Sequence, residues 1–130
     1  NGDLEVDDLP TAWNTMFKAW FDVEVSEDRL ACLQDIHWSM GAFGYFPTYT
    51  LGNLYAAQLL EAMAADLGDI DELVASGNWE PMLTWLRPRI HERGSQVSPA
   101  QLIEDATGSP PSPEPFLRYV ERKYGELYQL

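Results

Sequence analysis

The sequence predicts an all-α fold with about six helices. Apolar residues recur at helical spacing in several stretches, helix-start and helix-stop residues stand between those stretches, and no alternating run reaches strand length. Leu9, Trp13, Met16, Phe17, Trp20 and Phe21 make the first stripe, with Pro10 suited to a first turn. From Asp22 to Leu30 the chain is polar and mixed, and reads as a connection. Gln34 to Tyr49 is rich in glycine and aromatics and has no clean period. Leu51, Leu54, Tyr55, Gln58, Leu59, Ala62 and Met63 then form a long stripe, which Gly68 ends as a left-handed cap.

Asp69 and Glu72 have the spacing of a capping box for a short helix closed by Gly77. Asn78 is the expected cap of a helix carrying Trp79, Leu83, Leu86 and Ile90 and ending at Gly94. Pro88 lies inside that helix and lacks a backbone donor, so a kink is expected there. Ser98, Pro99 and Gln101 signal another start and Gly108 another stop. The proline-rich segment from Gly108 to Pro115 reads as a rigid connector. Phe116, Leu117, Val120, Tyr124 and Leu127 make the last stripe. Trp13, Trp79 and Trp85 sit at helical positions and are expected in the core.

A chain of 130 residues, 45% hydrophobic and 12% aromatic, is one domain's worth and can bury a real core. Its formal net charge of −13 repels phosphate backbones and anionic lipid surfaces, which argues against nucleic-acid and membrane partners. The single cysteine, Cys32, cannot form an internal disulfide and reads as a small buried apolar residue. With no basic-then-apolar leader after Asn1, this points to a cytoplasmic protein. Because the chain begins at Asn1 rather than Met, it reads as a processed, trimmed or excised piece.

Residues 34–49 are poorly explained by packing. Gly41, Gly44 and Pro47 lower helix propensity, while a histidine, a tryptophan and two tyrosines crowd into the same stretch. Chains tolerate such segments where side chains must be aimed at a site. An imidazole such as that of His37 can donate or accept a hydrogen bond. Phenols such as those of Tyr45 and Tyr49 are donors suited to a developing oxyanion. If the chain is helical after Pro47, Tyr49 and Asn53 share a face and Tyr45 lies about one turn earlier. Asp35 could orient the His37 ring. A structural histidine and amphipathic core tyrosines would account for the same residues, and spacing alone does not choose.

Gln34-Asp35-Ile36-His37-Trp38 resembles the GxxQDxHW motif of the M32 carboxypeptidases, and Gly44 to Asn53 is similar to their GYFPTYxLGN signature. The resemblance continues through Asp8-Leu9-Pro10, Trp13-Asn14, Ala56-Ala57-Gln58, Trp85-Leu86, Ile90-His91, Ala106-Thr107-Gly108 and Lys123-Tyr124, and so covers nearly the whole chain. One departure is Ala31, where the first motif begins with glycine. Ala adopts positive backbone angles less freely, which puts that local turn in question.

The resemblance implies the C-terminal part of a larger all-α catalytic domain of the neurolysin-like kind, spanning residues 1–130 as a single helical region. It implies release of C-terminal residues from peptides, a homodimer, and a divalent metal, usually zinc and sometimes cobalt or manganese. In that family an HExxH helix and a downstream glutamate hold the metal. This chain has two histidines, His37 and His91, and neither lies in such a pattern. The resemblance therefore makes the chain one wall of a cleft that binds no metal itself and is inert alone. His37, Tyr45 and Tyr49 are its expected catalytic residues, and Gln34, Asp35 and Trp38 its expected substrate-binding residues. The remainder of the parent domain is the expected partner. His91 is expected to be structural. A stand-alone helical interaction or dimerisation module is the alternative. An independent enzyme using Ser39 with His37 and Asp35 is disfavoured, because Ser39 is too near in sequence for a usual triad.

Overall fold

The computed structural model describes residues 2–34 and 36–130. The described residues are helical with loops and contain no strand. The chain divides into two compact units, Asn1–Phe46 and Pro47–Leu130.

In the first unit a 3-10 turn, Val6–Asp8, leads into helix α1, Leu9–Phe21, with Pro10 in its first turn as expected. Asp22 ends α1 in the left-handed region at φ 51°, donating its N–H to the Lys18 carbonyl at 2.9 Å. Aspartate is one of the few non-glycine residues that tolerates this conformation. Two more 3-10 turns, Asp28–Leu30 and Cys32–Gln34, precede the four-residue helix α2, Ile36–Ser39. Cys32 is the most completely buried side chain, as expected for a small hydrophobe. Ala31 is buried and has φ −130°, so the turn does not use the positive angle that only glycine adopts cheaply. Trp13 of α1 meets Trp38 of α2 edge-to-face with centroids 6.1 Å apart, and Trp38 stacks on Phe43. Within this half-buried cluster, Trp13 Nε1 and Asn14 Oδ1 are shielded from solvent without a hydrogen-bond partner.

The second unit opens with α3, Pro47–Leu67, which begins a turn earlier than the apolar stripe suggests. Proline at the first helical position has its φ already set and no donor to waste. Gly68 follows at φ 86° and caps the helix, donating to the Ala64 carbonyl. Asp69 caps α4, Ile70–Ala75, by accepting from Glu72 N at 3.0 Å, as its spacing predicts. Helix α5 is Glu80–Leu86, and its N-cap is Trp79 rather than Asn78. Trp79 is therefore off the buried stripe and 51% exposed, contrary to its expected core position, whereas Trp85 on the helix is 4% exposed.

Beyond α5 the chain widens into a π turn, Arg87–His91. Pro88 has no N–H to offer the preceding turn. The bonding shifts to a longer step in which Glu92 N donates to the Arg87 carbonyl at 2.9 Å, a widened turn rather than a simple kink. Helix α6, Pro99–Thr107, is capped by Ser98 and closed by Gly108, both as expected. Helix α7, Glu114–Tyr128, starts just before the expected apolar stripe, with Pro115 in its first turn.

Met63, Ile70 and Trp85 form the core of this unit, packed by Leu59, Leu67, Leu73, Met82 and Leu86. Asp66 holds α3 to α5 from the rim: it accepts from Trp85 Nε1 at 2.7 Å and from Arg89 at 3.2 Å, and the Arg89 guanidinium lies 4.6 Å from the Trp85 ring centre. Gln58 is the one buried polar residue among those described. Its amide nitrogen lies 3.1 Å from Thr107 Oγ1 and from the carbonyls of Ser109 and Pro110, and its oxygen accepts from Ser112 N at 3.0 Å. One side chain thus satisfies the backbone of the proline-rich connector.

Candidate functional site

Helix α2 carries His37 and ends at once. The His37 carbonyl accepts from Met40 N at 3.1 Å and from Ala42 N at 2.8 Å, and the Trp38 carbonyl accepts from Gly41 N. Gly41 and Gly44 both have φ 76°, which lets the chain reverse twice within a few residues. The reversal returns residues 45 and 46 to His37. The Tyr45 ring stacks on the imidazole with centroids 5.0 Å apart and planes 17° apart. Phe46 approaches it at 4.8 Å and 66°. His37 is half-buried, while Tyr45 and Phe46 keep 49% and 46% of their surface exposed. A histidine between two aromatic rings near the surface can offer one ring nitrogen to a ligand while its plane is held.

The other expected site residues are distributed as follows. Gln34 is exposed at the end of its 3-10 turn, its N–H donated to the Ala31 carbonyl at 3.0 Å. Asp35 lies outside the described residues. Trp38 is half-buried against Trp13 and Phe43. Tyr49 belongs to the second unit, in the first turn of α3, and is 54% exposed. It shares a helix face with Asn53, as its spacing predicts. Tyr45 precedes α3 and does not lie on a helical turn before Tyr49. Sequence reasoning passed over Phe46, although its place between Tyr45 and Pro47 was a usable signal.

Asp105, Lys123 and Lys18 have shifted titration. Hydrogen bonds from Gln101 and Arg93 hold the Asp105 carboxyl below the usual carboxylate range. The Tyr119 hydroxyl, 2.8 Å from Lys123 Nζ, raises that amine, and bonds to Glu24 and Asp22 raise Lys18. A hollow of about 340 Å³ lined by Gln58, Glu61, Thr107, Ser112 and Arg118 borders the connector; Gln58 is engaged with Thr107 and Ser112, and Arg118 donates to Glu61 of α3 at 2.9 Å.

Among the described residues no group of three or more His, Cys, Asp or Glu side chains is placed to hold a metal ion. His91 is exposed at the end of the π turn, in the other unit from His37. The described residues therefore make no site for a resident metal. No described helix is long and apolar enough to cross a membrane.

Comparison with known proteins bears on the same segment. The model of the family described as Carboxypeptidase Taq (M32) metallopeptidase matches residues 1–124. Thermostable carboxypeptidase 1 of Thermus thermophilus is 46% identical over 127 residues, 98% of this chain and 25% of that protein. Carboxypeptidase 1 of Bacillus subtilis is 38% identical over 130 residues, all of this chain and 26% of that protein. The crystal structure of the M32 carboxypeptidase from Deinococcus radiodurans superposes with a TM-score of 0.93 at 35% identity, covering 99% of this chain and 26% of that one. The chain thus spans about a quarter of the length of the relatives it matches. An all-helical fold, the motif around His37 and a family match over nearly every residue place this chain in the M32 metallopeptidase family.

Proposed function

We propose that this chain is the C-terminal part of a metal-dependent carboxypeptidase that removes residues from peptide C-termini, and that it supplies substrate-gripping and transition-state-stabilising side chains. The observation that carries the reading is the placement of His37, half-buried against Tyr45 and Phe46, while Tyr45 and Tyr49 stay about half exposed. His37 donates a ring N–H to a backbone carbonyl of the substrate, with Asp35 orienting its ring. Gln34 and Trp38 border the peptide. The phenol of Tyr45 or Tyr49 donates to the oxygen on which charge develops as the peptide carbon becomes tetrahedral, a bond that strengthens along the reaction path.

The divalent metal, zinc in the first instance, is held by residues outside this chain, which alone is catalytically inert. Stoichiometric tight zinc binding with hydrolysis of a blocked dipeptide by the 130-residue chain would overturn that. The enzyme works as a cytoplasmic homodimer in this reading. An assembly of another order in equilibrium sedimentation of the full-length protein contradicts the dimer.

The test is kinetic, in the full-length enzyme. Tyr45→Phe and Tyr49→Phe remove one hydroxyl each. At least one is expected to lower kcat by about 10²–10³ while leaving KM within a few-fold. Unchanged turnover in both variants would remove the oxyanion role.

A further inference from the structure

We propose that Phe46 is a positioning residue that acts through His37: its inclined ring, with the face of Tyr45, fixes the plane in which the imidazole meets the substrate. The inference rests on the reading of His37 as a substrate-gripping group. Several features of the segment support it. Helix α2 has four residues, too few to hold a side chain by its own packing. Rotation of a histidine ring about its outer torsion is broad and roughly two-fold, so an imidazole at a half-covered position reorients easily unless neighbours block it.

Two neighbours meet it here in different planes: Tyr45 nearly parallel at 5.0 Å, and Phe46 steeply inclined at 4.8 Å. The stacked ring limits tilt, and the inclined ring limits sliding along the stack. Phe46 is followed by Pro47, and a residue before proline is biased toward extended backbone angles, which narrows the conformations from which its ring can be presented. Phenylalanine carries no group that can donate or accept a proton, so its contribution to chemistry passes through what it touches.

The experiment uses the full-length, metal-loaded enzyme with Phe46→Leu, which removes the ring, and Phe46→Tyr, which keeps it, each made alone and combined with His37→Ala. Phe46→Leu is expected to lower kcat/KM on a blocked dipeptide by about 3–10-fold, a size consistent with the loss of one aromatic contact. Phe46→Tyr is expected to restore most of it. On the His37→Ala background, Phe46→Leu is expected to cost nothing further.

The second readout does not use activity. The imidazole resonance of His37, identified as the signal that vanishes in His37→Ala, moves and broadens in Phe46→Leu and returns in Phe46→Tyr. A full additional loss on the His37→Ala background, or a His37 resonance unmoved by Phe46→Leu, would overturn the positioning role while leaving His37 as the gripping group. A silent His37→Ala would instead overturn the proposed function, and this inference with it.

Discussion

At the scale of single residues, Gln58 shows how one side chain holds a segment that cannot hold itself. The sequence places it on the apolar stripe of α3, and its burial follows from that stripe. Its partners lie in a connector more than forty residues later, beyond the reach of any local pattern. Gln58→Leu keeps the volume and removes every bond. It leaves the Ser112 N–H and the Pro110 carbonyl without their protein partner, while the Ser109 carbonyl keeps the Thr107 hydroxyl, at about 1–3 kcal/mol for each group that water does not reach. The expected loss is about 2–4 kcal/mol of stability, read as a shift in denaturant midpoint at constant slope. A loss under about 0.5 kcal/mol would mean that water replaces the amide. The tryptophans follow the same rule of place over type: Trp85 is on α5 and buried, whereas Trp79 is its cap and half exposed, though the sequence predicts both in the core.

At the scale of elements, the caps at Asp69 and Ser98 are legible in the sequence, whereas the start of α3 at Pro47 is not. Asp69 and Ser98 cap α4 and α6 through bonds to residues three positions on, at 3.0 and 3.3 Å. Such a bond needs a fixed spacing and a short polar side chain, and both are visible in sequence. Asp69→Ala and Ser98→Ala are each expected to cost about 1 kcal/mol, measured by chemical denaturation, with Gly replacements costing less. Equal effects of Ala and Gly would argue that the side-chain bonds contribute nothing. The start of α3 at Pro47 was missed because an aromatic, glycine-rich stretch hides the periodicity. The π turn at Arg87–His91 was read as a kink, because proline says that a bond is lost and not how the neighbouring turn recovers it.

At the scale of the whole molecule, a net charge of −13 stands against a handful of exposed ion pairs. Repulsion at this charge is long-ranged and screened by salt, while exposed pairs are worth little each. Neutral salt at pH 7 is therefore expected to raise the melting temperature of the protein, and a fall would show that the pairs outweigh the repulsion. Groups with shifted titration, Asp105 and Lys123 among them, tie stability to pH. Asp105 has a lowered pKa when folded, so its contribution is present above the usual carboxylate range and lost as pH falls through the lowered value. Lys123 has a raised pKa, so its contribution is present below the usual lysine range and lost as pH rises through the raised value. Asp105→Asn is expected to lower the neutral plateau and leave stability at the acid end nearly unchanged, which flattens the acid limb of the stability curve. An unaltered acid limb would show that the Arg93 and Gln101 bonds do not favour the ionised form.

By itself the sequence determined the helical class, most helix ends and the family, because each rests on short-range information: a period, a cap spacing, a contiguous motif. It also held the chemistry of the proposed site, a histidine and two phenols within thirteen residues, without saying how they are held. Only the tertiary structure decided that the chain divides at Phe46 and Pro47, where no linker composition marks a boundary. It also decided that Tyr45 and Phe46 fold back onto His37. Those outcomes depend on two glycines reversing the backbone and on rings meeting after the reversal, and such contacts are selected by packing in three dimensions rather than by neighbours along the chain.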